Sequence, residues 1–233
     1  MKLELSAVKK SYGGRVVLDI CSLTFEESVS YAIIGPNGSG KTTLLRLLAG
    51  IETADSGQIT YNGKTSLCRK NIAYLPQNPY VFDMTVYENI ASGIRGDKDC
   101  HEITTAAISR AGLVSVAQSR AKALSGGEAQ KTSVLRTLVL NRELILLDEP
   151  ATFIDISNME RIEDSIKTMK QNKSTVIFST HNPSQAMRLA EEVLVLMDGR
   201  IVEAGPSQNV LNSSSSTQTR EFLNNWRYTG SMI

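Results

Sequence analysis

Residues Gly35-Pro36-Asn37-Gly38-Ser39-Gly40-Lys41-Thr42-Thr43 constrain this chain more than any other stretch. They satisfy the pattern G-x-x-x-x-G-K-[ST], which has a mechanical meaning only between a strand and a helix. Both flanks are present. Val29-Ser30-Tyr31-Ala32-Ile33-Ile34 is a short apolar run that reads as a buried strand, and Leu44, Leu45, Leu47, Leu48 and Ile51 recur at helical spacing. Strand, glycine loop and helix in that order aim successive backbone N–H groups and a helix N-terminus at one point. Such a point favours anions, because the orphan N–H groups and the macrodipole act together. Glycine lets the backbone approach a phosphate closely. Lys41 is placed to reach the β- and γ-phosphates, and Thr42 to ligate Mg²⁺ through its hydroxyl. A chance lysine in a glycine-rich turn would require neither flank, so a nucleoside triphosphate is the expected ligand.

A second constellation closes Glu143-Leu144-Ile145-Leu146-Leu147-Asp148-Glu149-Pro150. Continuous apolar character fits a central parallel strand covered on both faces. Acids at the carboxyl end of such a strand lie where open α/β sheets bind ligands. Asp148 can supply an oxygen to a hard cation or to its water, and Glu149 can orient or deprotonate a water attacking the γ-phosphate. Two further features are ambiguous from their residues alone. Leu124-Ser125-Gly126-Gly127-Glu128 precedes a helical run and reads equally as an N-cap with a glycine turn or as another anion nest. Tyr12, ahead of Gly13-Gly14, is either a half-exposed turn residue or a flat face for adenine.

The remaining texture is α/β. Residues 2–25 read as extended structure broken at Tyr12-Gly13-Gly14, and strand character resumes at 58–61 and 71–75. Helical periodicity dominates 86–94, 101–113 and 129–140, the mark of a helical lobe set into a strand-rich core. A helix over 158–169, a strand over 174–179, a helix over 184–190 and a strand over 193–197 then alternate as βαβ units. One domain spans 1–233, with core segments 1–77 and 141–211 and the lobe at 78–140. Residues 212–233 read as a serine-rich linker to 219 and a short terminal helix near 221–226. A net charge of +1 gives no field pointing to nucleic acid or anionic lipid. Cys21, Cys68 and Cys100, odd in number and without CxxC spacing, suggest reduced thiols and write no metal site. No run approaches the roughly 18 apolar residues of a membrane span, and the N-terminus lacks a signal-peptide layout. The expectation is a protein soluble by itself that meets any membrane through partners.

Taken in order, these motifs resemble the nucleotide-binding subunit of an ATP-binding cassette (ABC) transporter over nearly the whole chain. The resemblance implies an α/β fold: a P-loop NTPase core of mixed sheet with helices on both faces, an antiparallel N-terminal β region and an inserted α-helical lobe. Tyr12 sits at the adenine-stacking position, residues 35–43 match Walker A, Gln77 matches the Q-loop glutamine, and 124–128 match the signature LSGGQ. Residues 144–149 match Walker B with its catalytic glutamate, Asp155 occupies the D-loop position, and His181 the switch-histidine position. ATP and Mg²⁺ are the implied cofactors, with Thr42, Gln77 and Asp148 around the metal and Lys41, Gln77, Glu149 and His181 around the reacting phosphate.

The implied assembly is a head-to-tail pair in which each ATP is held by one phosphate loop and by the second copy's Ser125-Gly126-Gly127, with Glu128 closing the signature. Transmembrane permease subunits would be direct partners at the cytoplasmic face of the membrane, and an extracytoplasmic substrate-binding protein an indirect one. The aromatic residues between Tyr80 and Tyr87 would line the groove for a permease coupling helix, while His101 is expected to have no role. Some positions depart from the pattern: Glu128 for Gln, Lys131 for Arg, Ile154-Asp155 for Leu-Asp, and Ser28-Val29 for Gly-Glu, the last expected to alter a turn. None removes a catalytic group, so an active ATPase is expected. Arg120-Ala121-Lys122-Ala123 replaces the V-G-E-x-G segment of many exporters, and Thr219-Arg220-Glu221-Phe222-Leu223 is similar to importers of small oxyanions such as tungstate, molybdate or phosphate. The competing readings are an export-type ABC ATPase or a non-transport one acting on ribosomes or DNA.

Overall fold

The computed structural model describes residues 1–78, 80–152 and 156–230. β1 (Leu3–Tyr12) and β2 (Arg15–Phe25) form an antiparallel pair joined by the Gly13-Gly14 turn, and β3 (Ser30–Ile34) leads into the glycine loop and α1 (Lys41–Leu48). β4 (Ser56–Tyr61) and β5 (Ile72–Leu75) follow. α2 (Val86–Ala91), α3 (Cys100–Arg110) and α4 (Gly126–Leu138) make the helical stretch before β6 (Leu144–Asp148). α5 (Ile156–Gln171), β7 (Thr175–Ser179), α6 (Pro183–Leu189), β8 (Glu192–Met197) and β9 (Arg200–Pro206) complete the alternation. α7 (Ser207–Ser213) and α8 (Thr217–Gly230) end the described chain.

The strands divide into a three-stranded antiparallel sheet, β2-β1-β4, and a six-stranded sheet, β5-β6-β7-β3-β8-β9, parallel except for β9. β6 lies between β5 and β7, and all its residues are buried. Side chains alternate across a strand, so a continuous apolar run is what two covered faces require. Leu144 and Leu146 of β6 face a cluster with α1 and the antiparallel sheet (Leu3, Leu5, Leu44, Leu48), whereas Ile145 and Leu147 face one with α2, α4, α5 and α6 (Ile90, Leu135, Ile162, Ala186). Each such fully buried side chain is worth roughly 1.5–3 kcal/mol of transfer free energy. The parallel strands carry their carboxyl ends to one edge, where β3 opens into the glycine loop and β6 into Glu149. No helix among the described residues is long and apolar enough to cross a membrane.

One segment differs from the sequence expectation. The serine-rich stretch holds the end of α7 and the start of α8, with only residues 214–216 between them. Glu203 explains this: its carboxylate accepts from the Ser214 hydroxyl (2.5 Å) and from the Ser215 N–H and hydroxyl (2.9 and 3.0 Å). Arg220 donates to the Ser214 and Ser215 carbonyls from the other side. The serines are thus a clasp rather than a linker. At the entry to β3, Ser28 takes a φ of 60° and is held there by its N–H to Thr175 Oγ1 and its hydroxyl to the Lys173 carbonyl. A non-glycine residue is uncommon in that region, and these bonds offset the strain.

Candidate active site

The loop after β3 turns at glycines that no other residue could replace without displacing backbone. A Cβ on Gly35, at φ 149°, would lie 2.0 Å from the Leu196 carbonyl oxygen. Gly40, at φ 107°, is the residue before α1, and a Cβ there would meet Leu18 and the Val17 carbonyl within 3 Å. The α1 N-terminus therefore opens onto a cavity of about 360 Å³ lined by Tyr12, Asn37, Gly38, Gly40, Lys41, Thr42, Thr43, Gln77 and Glu149. That size suits a small ligand. Lys41 lies buried in it and donates to the Gly35 and Pro36 carbonyls at 2.8 and 2.9 Å. An ammonium has three donors, so one remains for a ligand oxygen. Burial pushes the Lys41 ammonium below its ordinary pKa, and Glu149 and Asp148 pull it back up. Tyr12 stands at the rim, 45% exposed, its hydroxyl bonded to Glu52 and its ring centroid 5.4 Å from Lys10 Nζ.

The two acids at the end of β6 have different surroundings. Asp148 is buried, with Oδ1 accepting from Ser179 Oγ at 2.6 Å and Oδ2 left without a hydrogen-bond partner. A buried, unpaired carboxylate oxygen whose charge acts on Lys41 suits a divalent cation, and within the phosphate loop Ser39 has a buried hydroxyl that also lacks a partner. Among the described residues no three His, Cys, Asp or Glu side chains converge on a metal site. That fits Mg²⁺, which typically takes one or two protein carboxylates and completes its shell with phosphates and water. Glu149 adopts a left-handed φ of 49° and donates its N–H to Ser179 Oγ at 2.9 Å. Its side chain accepts from Thr152 Oγ1 at 3.2 Å and lies 3.4 Å from His181 Nδ1. The bond with His181 holds Glu149 below the ordinary carboxylate range although burial opposes it, and the same bond raises the His181 imidazole. Positive φ at a non-glycine residue stores strain, which accumulates at functional sites. A second cavity, of about 440 Å³, continues from these groups and is lined by Gly35, Pro36, Asn37, Gln77, Glu149 and His181, with Phe222, Asn225 and Trp226 opposite.

Ser125, Gly126, Gly127 and Glu128 line neither cavity. They form the N-terminus of α4, closed by a reciprocal capping box: the Glu128 N–H donates to Ser125 Oγ at 3.3 Å and the Ser125 N–H to Glu128 Oε2 at 2.9 Å. Ser125 and Gly126 are exposed. Asp155 lies outside the described residues. Between Tyr80 and Tyr87 the aromatic residues separate: Tyr80 (64% exposed) and Phe82 (38%) meet edge-on with Arg136 over the Phe82 ring, whereas Tyr87 packs against the core and bonds His101. Two site residues carried no sequence signal. Ser179 joins Asp148 to Glu149, a link legible only once β6 and β7 pair Asp148 with Ser179. Gln130, fully buried in α4, donates to the Pro150 carbonyl at 3.1 Å and so ties the helix that begins at Ser125 to the loop after Glu149.

The ABC transporter family matches residues 18–152, more than half of the chain. The chain belongs to the ABC transporter family. It is an ATPase of that family. The ATP-binding protein TupC of a tungstate uptake system in Peptoclostridium acidaminophilum is 39% identical over 210 residues, covering 88% of this chain and 98% of that protein. The phosphate import ATP-binding protein PstB 2 of Natronomonas pharaonis is 32% identical over 244 residues, covering 95% of this chain and 86% of its own length. Among solved structures, a dimeric post-hydrolysis ATP-binding cassette bound to ADP and Pi superposes with a TM-score of 0.79 over 88% of this ABC ATPase and 98% of that chain. At 24% identity that likeness establishes the fold, an ABC ATPase α/β fold with mixed sheet.

Proposed function

We propose that this ABC ATPase is the energy-coupling subunit of an importer for a small oxyanion, tungstate, molybdate or phosphate, and that it works as a head-to-tail pair at the cytoplasmic face of the membrane. The observation that carries the reading is a separation. The phosphate loop, Gln77, Glu149 and His181 converge in one chain, while the exposed Ser125-Gly126 turn lies outside both cavities. A second copy supplies that turn. The substrate class follows the similarity to the tungstate and phosphate ATPases, and the permease partner follows with it. Tyr80 and Phe82, both exposed and the latter stacked by Arg136, suit a permease helix.

In this mechanism Tyr12 stacks on adenine, the N–H groups from Asn37 to Thr43 cradle the phosphates, and Lys41 turns its remaining proton to the β- and γ-oxygens. Thr42, Gln77 and Asp148 would hold Mg²⁺, whose chemistry there would be to neutralise charge on the transferring phosphate. Glu149 takes a proton from water as its oxygen bonds to the γ-phosphorus and the bond to the bridging oxygen breaks, leaving ADP and phosphate. His181 steadies Glu149 and contacts the γ-phosphate; the partner's Ser125-Gly126-Gly127 closes the far side. Glu149→Gln tests this: ATP binding persists, hydrolysis falls by about 10²–10⁴-fold, and a dimer accumulates in sedimentation. Hydrolysis at the parent rate would remove Glu149 from its role.

A further inference from the structure

The larger cavity has a wall that the hydrolytic mechanism does not use. We propose that Phe222, Asn225 and Trp226 of α8 form a docking surface for a second copy of this chain, receiving the Ser125-Gly126-Gly127 end of its α4. The inference rests on the shared-site reading and adds α8 to it. The cavity is about 440 Å³ and its opposite wall includes Pro36, Asn37 and His181, so a group entering it meets both the phosphate-loop side and α8. The α4 end is bare in its own chain: Ser125 and Gly126 are exposed, and a Cβ on Gly126 would meet nothing within 4 Å.

The wall is held in place before any partner arrives. Leu223 is buried in the core, Phe222 packs against it, and the clasp of Glu203 and Arg220 on Ser214 and Ser215 fixes the start of the helix. Trp226 follows Phe222 by four residues, on the same helix face, and both reach the cavity. A large, amphipathic and pre-positioned indole is the residue type that most often anchors an interface, because little freedom remains to be lost on binding.

Trp226 is the chain's single tryptophan, so the surface carries its own probe. The test uses the full chain carrying Glu149→Gln, with ATP and Mg²⁺, followed by sedimentation and tryptophan emission. Adding Trp226→Ala should weaken the dimer by about tenfold or more, while Trp226→Phe keeps most of its strength and both retain the parent's ATP affinity as monomers. ATP should shift the Trp226 emission in Glu149→Gln and leave it unshifted once Ser125→Arg is added. A Trp226→Ala dimer as tight as the parent's overturns the proposal. A tighter one also overturns it, and makes the end of α8 a plug that closure must expel. If Glu149→Gln itself stays monomeric with ATP, the shared-site reading falls and the docking surface falls with it.

Discussion

Ser179 accepts the Glu149 N–H and donates to Asp148 Oδ1, so one hydroxyl sets the direction of both acids. Its removal would leave a buried carboxylate oxygen and a backbone donor unpaired next to the Oδ2 that already lacks a partner. Ser179→Ala should therefore lower kcat and destabilise the fold by about 1–3 kcal/mol, measured by steady-state hydrolysis and urea unfolding. Unchanged kcat would mean that the turn at Glu149 holds without it. The Glu149–His181 pair gives a second residue-level prediction. The imidazole is raised and the carboxylate lowered chiefly by their mutual bond. Protonated His181 therefore predominates below the ordinary histidine value of about 6.5, and the charged pair is lost as pH rises through the raised value. In Glu149→Gln the His181 pKa should fall, as read by an NMR titration; an unmoved titration would contradict the pairing.

Among the elements, what could be read in advance was what local chemistry determines. β3, the glycine loop and α1 follow from an apolar run, obligatory glycines and leucines at helical spacing; β6 follows from four apolar residues that two covered faces demand. Ser125 was legible as the start of a helix because a serine and two glycines precede a helical run, while the reciprocal bond from Glu128 that makes it a capping box is seen in the structure. What escaped was tertiary. Ser179 matters only through its register opposite Asp148, and Gln130 only because α4 passes beside Pro150. The serines before α8 read as a linker because their acceptor, Glu203, lies on another element, β9. Glu203→Gln should accordingly loosen the clasp and speed amide hydrogen exchange along α8 while leaving β6 and β7 protected. Exchange that stays slow throughout α8 would show that Leu223 and its neighbours suffice to hold the helix.

On the scale of the whole molecule, the sheet gathers the carboxyl ends of β3, β6 and β7 at one edge, and with them the phosphate loop, Asp148, Glu149 and His181. α4 begins elsewhere, at a bare Ser125-Gly126 turn. In the proposed pair, two half-sites on one chain would leave each copy incomplete and each pair complete twice, so nucleotide occupancy and association would be linked: whatever ligand bridged the halves would also hold the copies together. Complementation tests this directly. Lys41→Ala damages a cradle and Ser125→Arg damages the turn that closes over it, yet a mixed pair retains one intact site made from the two undamaged halves. Each variant alone should hydrolyse ATP far more slowly than the parent, and mixing them in equal amounts should restore a substantial share of the rate. A Ser125→Arg chain that hydrolyses as fast as the parent on its own would show that the site is complete within one copy.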